Sequence, residues 1–236
     1  MSISSADPIP RGQPLRESVY RRIASNIALG LFTPGEAITE ASISEAFGVS
    51  RTPTREALLR LESEGVLVSE LARGFTVRPL SADEAEEIYP IHAALESLAV
   101  RSCKAFGPDT YAELARILDE LEQCNEPVER WRLDSSWHSG IVNASNNSRL
   151  ISLLRQSRMN ISRYELTYMR EVFARESADR QHRQIWAAIH ASDLRSASEL
   201  LEQHWMDGMK ATVEWLNSTP ASPATKLALG RPTHHP

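Results

Sequence analysis

The sequence predicts a mostly α-helical protein built from two unlike blocks, one mixing short helices with a β-hairpin and one helical almost throughout. Three observations carry this. Apolar residues recur at helical spacing over most of the 236 residues. Two short runs rich in Val, Leu and Phe, at 66–68 and 75–77, flank Leu71-Ala72-Arg73-Gly74 as strands flank a turn. From Ser81 onward, Gly107-Pro108, Asn125 to Pro127, Asn146-Asn147 and Ser192-Asp193 divide the chain into helix-sized segments.

Residues 1–13 are rich in Ser and Pro without an apolar period and read as a flexible tail, as do residues 218–236. A first domain is expected over 14–79 and a second over 80–217. In the first, Leu15, Val19, Ile23 and Ile27 step by four, drawing an apolar stripe along a helix that Gly30 can end. Phe32-Thr33-Pro34-Gly35 is a turn. A short helix follows from about Glu40 to Phe47, capped by Thr39, with Ile43, Ala46 and Phe47 inward. After the turn Gly48-Val49-Ser50, a third helix starts near Ser50 or Thr52, either of which can cap it. It accepts Pro53 in its first turn, carries Ala57, Leu58 and Leu61 inward and ends at Gly65. In the second block Ser81 and Glu84 have capping-box spacing, and helices are expected near 82–106, 109–124, 128–144, 147–171, 175–191 and 193–216, with Pro90 kinking or dividing the first.

A hydrophobic share of 42% supplies a core to each block. No stretch is apolar enough for a membrane span or signal peptide, so a cytoplasmic protein with no membrane partner is expected. Cys103 and Cys124 fall in segments that read as helix and are expected to be ordinary thiols. The net charge of −5 excludes a protein that holds nucleic acid by bulk charge. That acidity is not evenly spread: up to Leu80 there are nine basic residues, all arginine, and nine acidic ones, against 17 and 22 beyond it.

Two short helices joined by a three-residue turn and followed by a hairpin form a winged helix-turn-helix, whose third helix enters the DNA major groove. Arg51, Thr52, Thr54 and Arg55 cluster at the start of that helix, where its free N–H groups and dipole also favour a phosphate. Arg73 and Gly74 at the wing tip are placed to reach the minor groove. The same arginines could form an ordinary solvated face. The run PGEAITEASISEAFGVSRTPTREALLRLESEGVL resembles the GntR family of bacterial regulators, over about 15–79. That resemblance implies operator binding as a homodimer, through Arg51, Arg55, Arg73 and Gly74. Ala41 departs from relatives that place a DNA-contacting arginine there.

In the second block Asp134 and His138 stand four apart in LDSSWHSGIVNASNN, one turn apart on one side of a helix. His182 has Ile185 and Ile189 on its face, and His204 has Leu200 and Leu201, so both border apolar stripes. Each could be a core or surface histidine. Six or so helices behind such a reader resemble the FCD domain of the FadR subfamily, over about 81–217. In metal-binding FCD proteins, positions matching Asp134, His138, His182 and His204 hold a metal inside the bundle. Three imidazoles and a carboxylate suit a divalent transition metal such as zinc, nickel or manganese. The resemblance further implies a small-molecule effector, of carboxylate type. His92 stands where relatives carry an arginine three residues before the pair Leu95-Glu96 that meets such a ligand. Here it is either effector-binding or simply packed.

A ligand-responsive regulator, repressor or activator, is therefore the leading expectation. A regulator for which the metal is itself the signal is the second. A metal-dependent hydrolase is disfavoured, because four protein ligands leave at most one or two open positions and no further Glu or His stands out as a general base.

Overall fold

The computed structural model describes residues 15–70, 74–171 and 176–218, which fall into two compact units divided after Ser81. The expected tail over 1–13 lies outside the described residues, as does that over 218–236 except for Ser218, which ends the last helix, and so do Arg73 and the hairpin turn before it.

The first unit contains α1 (Leu15–Ala28), β1 (Ala37–Ile38), α2 (Glu40–Phe47), α3 (Arg51–Ser63), β2 (Leu67–Glu70) and β3 (Gly74–Val77). Val19, Ile23 and Ile27 are buried as the four-step stripe requires, although Leu15 at its end is 44% exposed. Thr39 caps α2 through a reciprocal box with Ser42: Ser42 N–H donates to Thr39 Oγ1 at 3.0 Å and Thr39 N–H to Ser42 Oγ at 3.3 Å. Gly48 ends the helix in the left-handed conformation, φ 64°, which glycine adopts without a side-chain clash. Ser50 occupies the cap position of α3 but makes no side-chain cap bond. Ala57, Leu58 and Leu61 are buried. Leu58 and Leu61, both fully buried, each contribute about 1.5–3 kcal/mol by leaving water.

The sheet has three strands, not two, in the order β1-β3-β2, all antiparallel. β1 pairs Ala37 with Thr76 and Ile38 with Phe75. Two residues next to a turn carry no alternation to read, so this strand is not visible in the sequence. It explains Gly74: with φ at 87°, any Cβ there would come 3.2 Å from the Ile38 carbonyl oxygen.

The second unit contains, among the described residues, six helices: α4 (Ala82–Ser102), α5 (Pro108–Gln123), α6 (Pro127–Ala144), α7 (Ser148–Glu171), α8 (Glu176–His190) and α9 (Leu194–Ser218). α5 and α6 each open on a proline, whose missing N–H is harmless in the first turn. The Glu126 carboxylate caps α6, accepting from Val128 N–H at 3.2 Å and Glu129 N–H at 2.7 Å. Asn147 and Asp193 cap the following turns through Leu150 N–H and Ser196 N–H. α4 is not divided at Pro90 but runs through it. It stops at Ser102, four residues earlier than its pattern suggests, and Cys103 then donates its thiol to the Ala144 carbonyl. Cys103 and Cys124 thus stand just past helix ends, and both are free thiols. α4 packs most extensively on α9, while α6, α7 and α8 each pack on one or both of these two helices, so all five can point side chains into one interior.

Candidate functional site

In the first unit, Arg51, Thr52 and Arg55 are exposed on the first turns of α3. Arg55 lies 3.7 Å from Glu40, a loose surface pair. Thr54 departs from expectation. It is fully buried, accepts a hydrogen bond from Ser44 Oγ at 3.0 Å and donates to the Ser50 carbonyl at 3.1 Å. Position 54 falls on the side of α3 facing α2, so its hydroxyl fixes the angle between the two helices and is not offered to DNA. Gly74 begins the strand after the wing turn. Arg73 lies outside the described residues.

In the second unit α6, α8 and α9 bring His138, His182 and His204 together, each offering one nitrogen within 4.8 Å of the others. The ring centroids of His182 and His204 are 4.6 Å apart, and His138 lies 5.4 Å from each. Asp134, one turn before His138, places Oδ1 3.3 Å from His182 Nε2 and 3.9 Å from His138 Nε2. Nitrogens on one ion are bound at about 2.0–2.1 Å, so the rings face a common point and draw together to share an ion.

The surroundings of these rings test whether a metal fits. His138 Nδ1 faces both oxygens of Glu96, at 3.1 and 3.2 Å, and His204 Nδ1 meets Gln181 Oε1 at 2.9 Å. These two rings are thereby oriented from behind, in the arrangement by which outer groups fix metal-ligating histidines, whereas His182 Nδ1 is buried with no hydrogen-bond partner. His138 Nε2 and His182 Nε2 are buried with no hydrogen-bond partner. Two orphaned imidazole nitrogens converging on a carboxylate are costly unless something electron-poor occupies the space between them. The donor set fits a divalent cation.

Electrostatics agree. Burial opposes the ionised form of Asp134, but the positive charges of His138 and Arg158 outweigh it and hold the carboxyl well below its usual range. Burial likewise keeps His182 neutral, its pKa pulled down to about 4, and depresses His204 strongly. Neutral imidazole is the form that binds metal. His138 is the exception: burial pulls its pKa down, yet Glu96 and Asp134 together raise it.

Several residues here have no signature in the sequence. Arg158 on α7 donates through Nη2 to Asp134 Oδ2 and through Nη1 to Glu165 Oε1, both at 2.7 Å. Burial disfavours its charge, but Glu165 and Asp134 hold it protonated. Burial conversely pushes the Glu165 carboxyl up. Glu96 also accepts from Trp205 Nε1. α7 shows only a polar and apolar alternation, and nothing local says which of its arginines turns inward.

Two cavities flank the cluster. One, of about 120 Å³, is bordered by Asp134, His182 and His204 together with Tyr89, Glu165 and Tyr168. The other, of about 150 Å³, is bordered by His92, His138 and Arg158. His92 is therefore at the second cavity, apart from the wall formed by the other three site residues. It is 2% exposed, packs edge-on against Trp205 and meets Ser157 Oγ through Nδ1 at 3.0 Å.

A model described as bacterial regulatory proteins of the gntR family matches residues 15–77, and one described as the FCD domain matches residues 87–207. The HTH-type transcriptional regulator YdhC of Bacillus subtilis is 30% identical over 191 residues, covering 79% of this chain and 85% of its own. The HTH-type transcriptional repressor GlaR of Escherichia coli K12 is 27% identical over 197 residues, with coverage of 78% and 90%. The solved structure of E. coli McbR/YncC aligns with a TM-score of 0.77 at 25% identity, covering 87% of this chain and all of that one.

Proposed function

Because this chain belongs to the GntR family of bacterial regulatory proteins and pairs its reader with an FCD domain, we propose that it is a metal-dependent, effector-responsive transcriptional regulator acting as a homodimer on operator DNA. Arg51, Thr52 and Arg55 read or grip the operator from α3, with Arg73 and Gly74 at the wing. Two reading heads in a twofold dimer match two half-sites, which is how such motifs gain affinity and specificity together. The repressing sense follows the relative named as a repressor. Among the described residues no helix is long and apolar enough to cross a membrane, in keeping with action on DNA in the cytoplasm.

The observation that carries the sensing half of this reading is the convergence of Asp134, His138, His182 and His204, with two orphaned nitrogens, inside the FCD unit. Zinc, nickel and manganese all accept this donor set. The bound ion supplies positive charge and exchangeable coordination positions for an oxygen ligand. The protein's part is to orient the rings, through Glu96 and Gln181, and to keep Asp134 ionised through Arg158. A small carboxylate beside this centre shifts the population between DNA-competent and DNA-incompetent forms, to the extent that it binds one of them better.

The test is operator affinity of the full chain on a selected DNA site, measured with metal removed, with each metal restored, and with small acids added. Effector response that needs both metal and acid supports this reading. A response to metal alone makes the metal the signal, and operator affinity indifferent to both refutes the sensing mechanism.

A further inference from the structure

Arg158 enters the histidine cluster from α7 and is pinned on several sides. Nη2 donates to Asp134 Oδ2 at 2.7 Å and to Ser135 Oγ at 3.0 Å, and Nη1 donates to Glu165 Oε1 at 2.7 Å. Glu165 in turn accepts from Trp131 Nε1 at 3.3 Å. The guanidinium carbon lies 5.0 Å from the centroid of the Trp205 ring, which follows His204 in the chain. Arg158, Asp134 and Glu165 are all largely buried, with side chains between 7% and 15% exposed.

The two oxygens of Asp134 consequently play unequal parts. Oδ2 is taken by a charge-assisted hydrogen bond, whereas Oδ1 faces His182 Nε2 at 3.3 Å and His138 Nε2 at 3.9 Å. To offer both oxygens to one ion, the carboxylate would have to release a buried guanidinium whose other arm is fixed to Glu165. A planar fork held at both arms does not follow such a rotation. What remains is a donor of one oxygen, with part of its charge drawn toward Arg158. Three imidazole nitrogens then face the space against a single carboxylate oxygen.

Hard divalent cations, manganese among them, are held chiefly by charge and by oxygen ligands, whereas imidazole suits zinc and nickel. We propose that Arg158 sets the metal preference of this centre: by occupying Asp134 Oδ2 it limits the carboxylate to one oxygen and biases the site against hard divalent cations, in favour of zinc and nickel. The proposal rests on the reading of the four residues as a metal centre, and it assigns the residue that narrows the choice among the ions they accept. Arg158 is a positioning residue, since it touches the ligand and not the ion.

The experiment compares manganese with zinc on the full chain stripped of metal by a chelator. Zinc is followed by competition against a metal-binding dye, and manganese by loss of the paramagnetic resonance signal of the free ion. The ratio of the two dissociation constants is read for the unaltered protein and for Arg158→Met, which keeps an apolar stem and removes the guanidinium. The ratio is expected to move toward manganese by about tenfold or more, as the loss of one charge-assisted contact provides. A second variant, Arg158→Met with Glu165→Gln, removes both charges of the pair and leaves no carboxylate uncompensated by the change at 158. It should shift the ratio in the same direction. A purely structural role would weaken or abolish both ions alike. That outcome, an unmoved ratio, or a ratio moved toward zinc overturns the proposal and leaves the metal centre standing. Unaltered protein that binds neither ion overturns both.

Discussion

Glu96 and His138 are locked together: the imidazole Nδ1 lies 3.1 Å from one carboxylate oxygen and 3.2 Å from the other, both residues being almost wholly buried. Burial opposes charge on Glu96, yet the charge of His138 and its hydrogen bond hold the carboxyl below the usual range. A carboxylate behind the ring makes Nδ1 the donor and turns Nε2 toward Asp134 and His182. Glu96→Gln keeps the shape and loses the charge. Metal affinity is expected to fall by about 10–100-fold, as for other outer-shell partners, with the helical content retained. Competition against a metal-binding dye measures this. Unchanged affinity would show that the pair is only packing.

Arg51→Ala and Arg55→Ala should each weaken specific operator binding by about 1–3 kcal/mol, the range for a lost guanidinium contact to a base edge. Both side chains are exposed, so the melting temperature should hold. Affinities compared at one fixed salt concentration decide the matter, since phosphate contacts are salt-dependent. Two mutants that bind like the parent would remove α3 from the interface.

Thr54→Val should behave in the opposite way. Removing the hydroxyl, itself fully buried, deletes its bonds with Ser44 Oγ and the Ser50 carbonyl, a loss of about 0.5–1.5 kcal/mol. For a unit of this size that lowers its melting temperature by roughly 4–8 °C per kcal/mol. Base preference at each operator position should stay the same. A changed preference without lost stability would return Thr54 to the DNA-reading face.

The contrast between Thr54 and its neighbours shows where sequence reasoning reaches and where it stops. Helical period and caps gave Val19, Ile23, Ile43, Leu58 and Leu61 as core and Thr39 as a cap, because these depend on residues within one or two turns. The same local view put Thr54 among exposed polar residues, since its partner Ser44 comes from the preceding helix. Spacing alone pairs Asp134 with His138, and only the resemblance to the FCD domain adds His182 and His204; the four do converge. Their supports were not legible. Glu96 lies 42 positions before His138 and Arg158 lies 24 after Asp134, and only tertiary packing pairs them. The two-residue β1 was invisible because its register exists only through β3.

One divalent ion per chain is expected on elemental analysis of purified protein, and His182→Ala or His204→Ala should cut occupancy by about an order of magnitude or more. Because binding is coupled to folding, a ligand at about a hundred times its dissociation constant stabilises by about 2.7 kcal/mol. Chelation should therefore lower the melting temperature by roughly 5–10 °C. Protein that is metal-free, cannot be loaded and melts alike with and without chelator would dismiss the centre.

Acid should destabilise the helical unit, and the direction follows from which imidazoles are protonated when folded. Burial holds His92 down to about 3 and His182 to about 4, and depresses His204, against an ordinary value of 6.5. Below that value the unfolded chain takes up protons that these folded histidines refuse, so stability falls with pH from about 6.5 toward 4. His138 acts in the other sense. Burial lowers its pKa, but Glu96 and Asp134 raise it overall, so its contribution is complete in acid and is lost as pH rises through its folded value. Three depressed histidines outweigh one raised one. At lower pH the depressed carboxyls of Asp134 and Glu96 add to the loss, since each must then be protonated against its partners. The metal-loaded protein should show a steeper loss than the chelated protein, because protons compete with the ion for three imidazoles. Thermal melts of both forms between about pH 7.5 and 5 read this directly. A melting temperature that stays level or rises as pH falls would mean that these histidines are not held neutral in the fold, and with that the electrostatic case for the centre would fail.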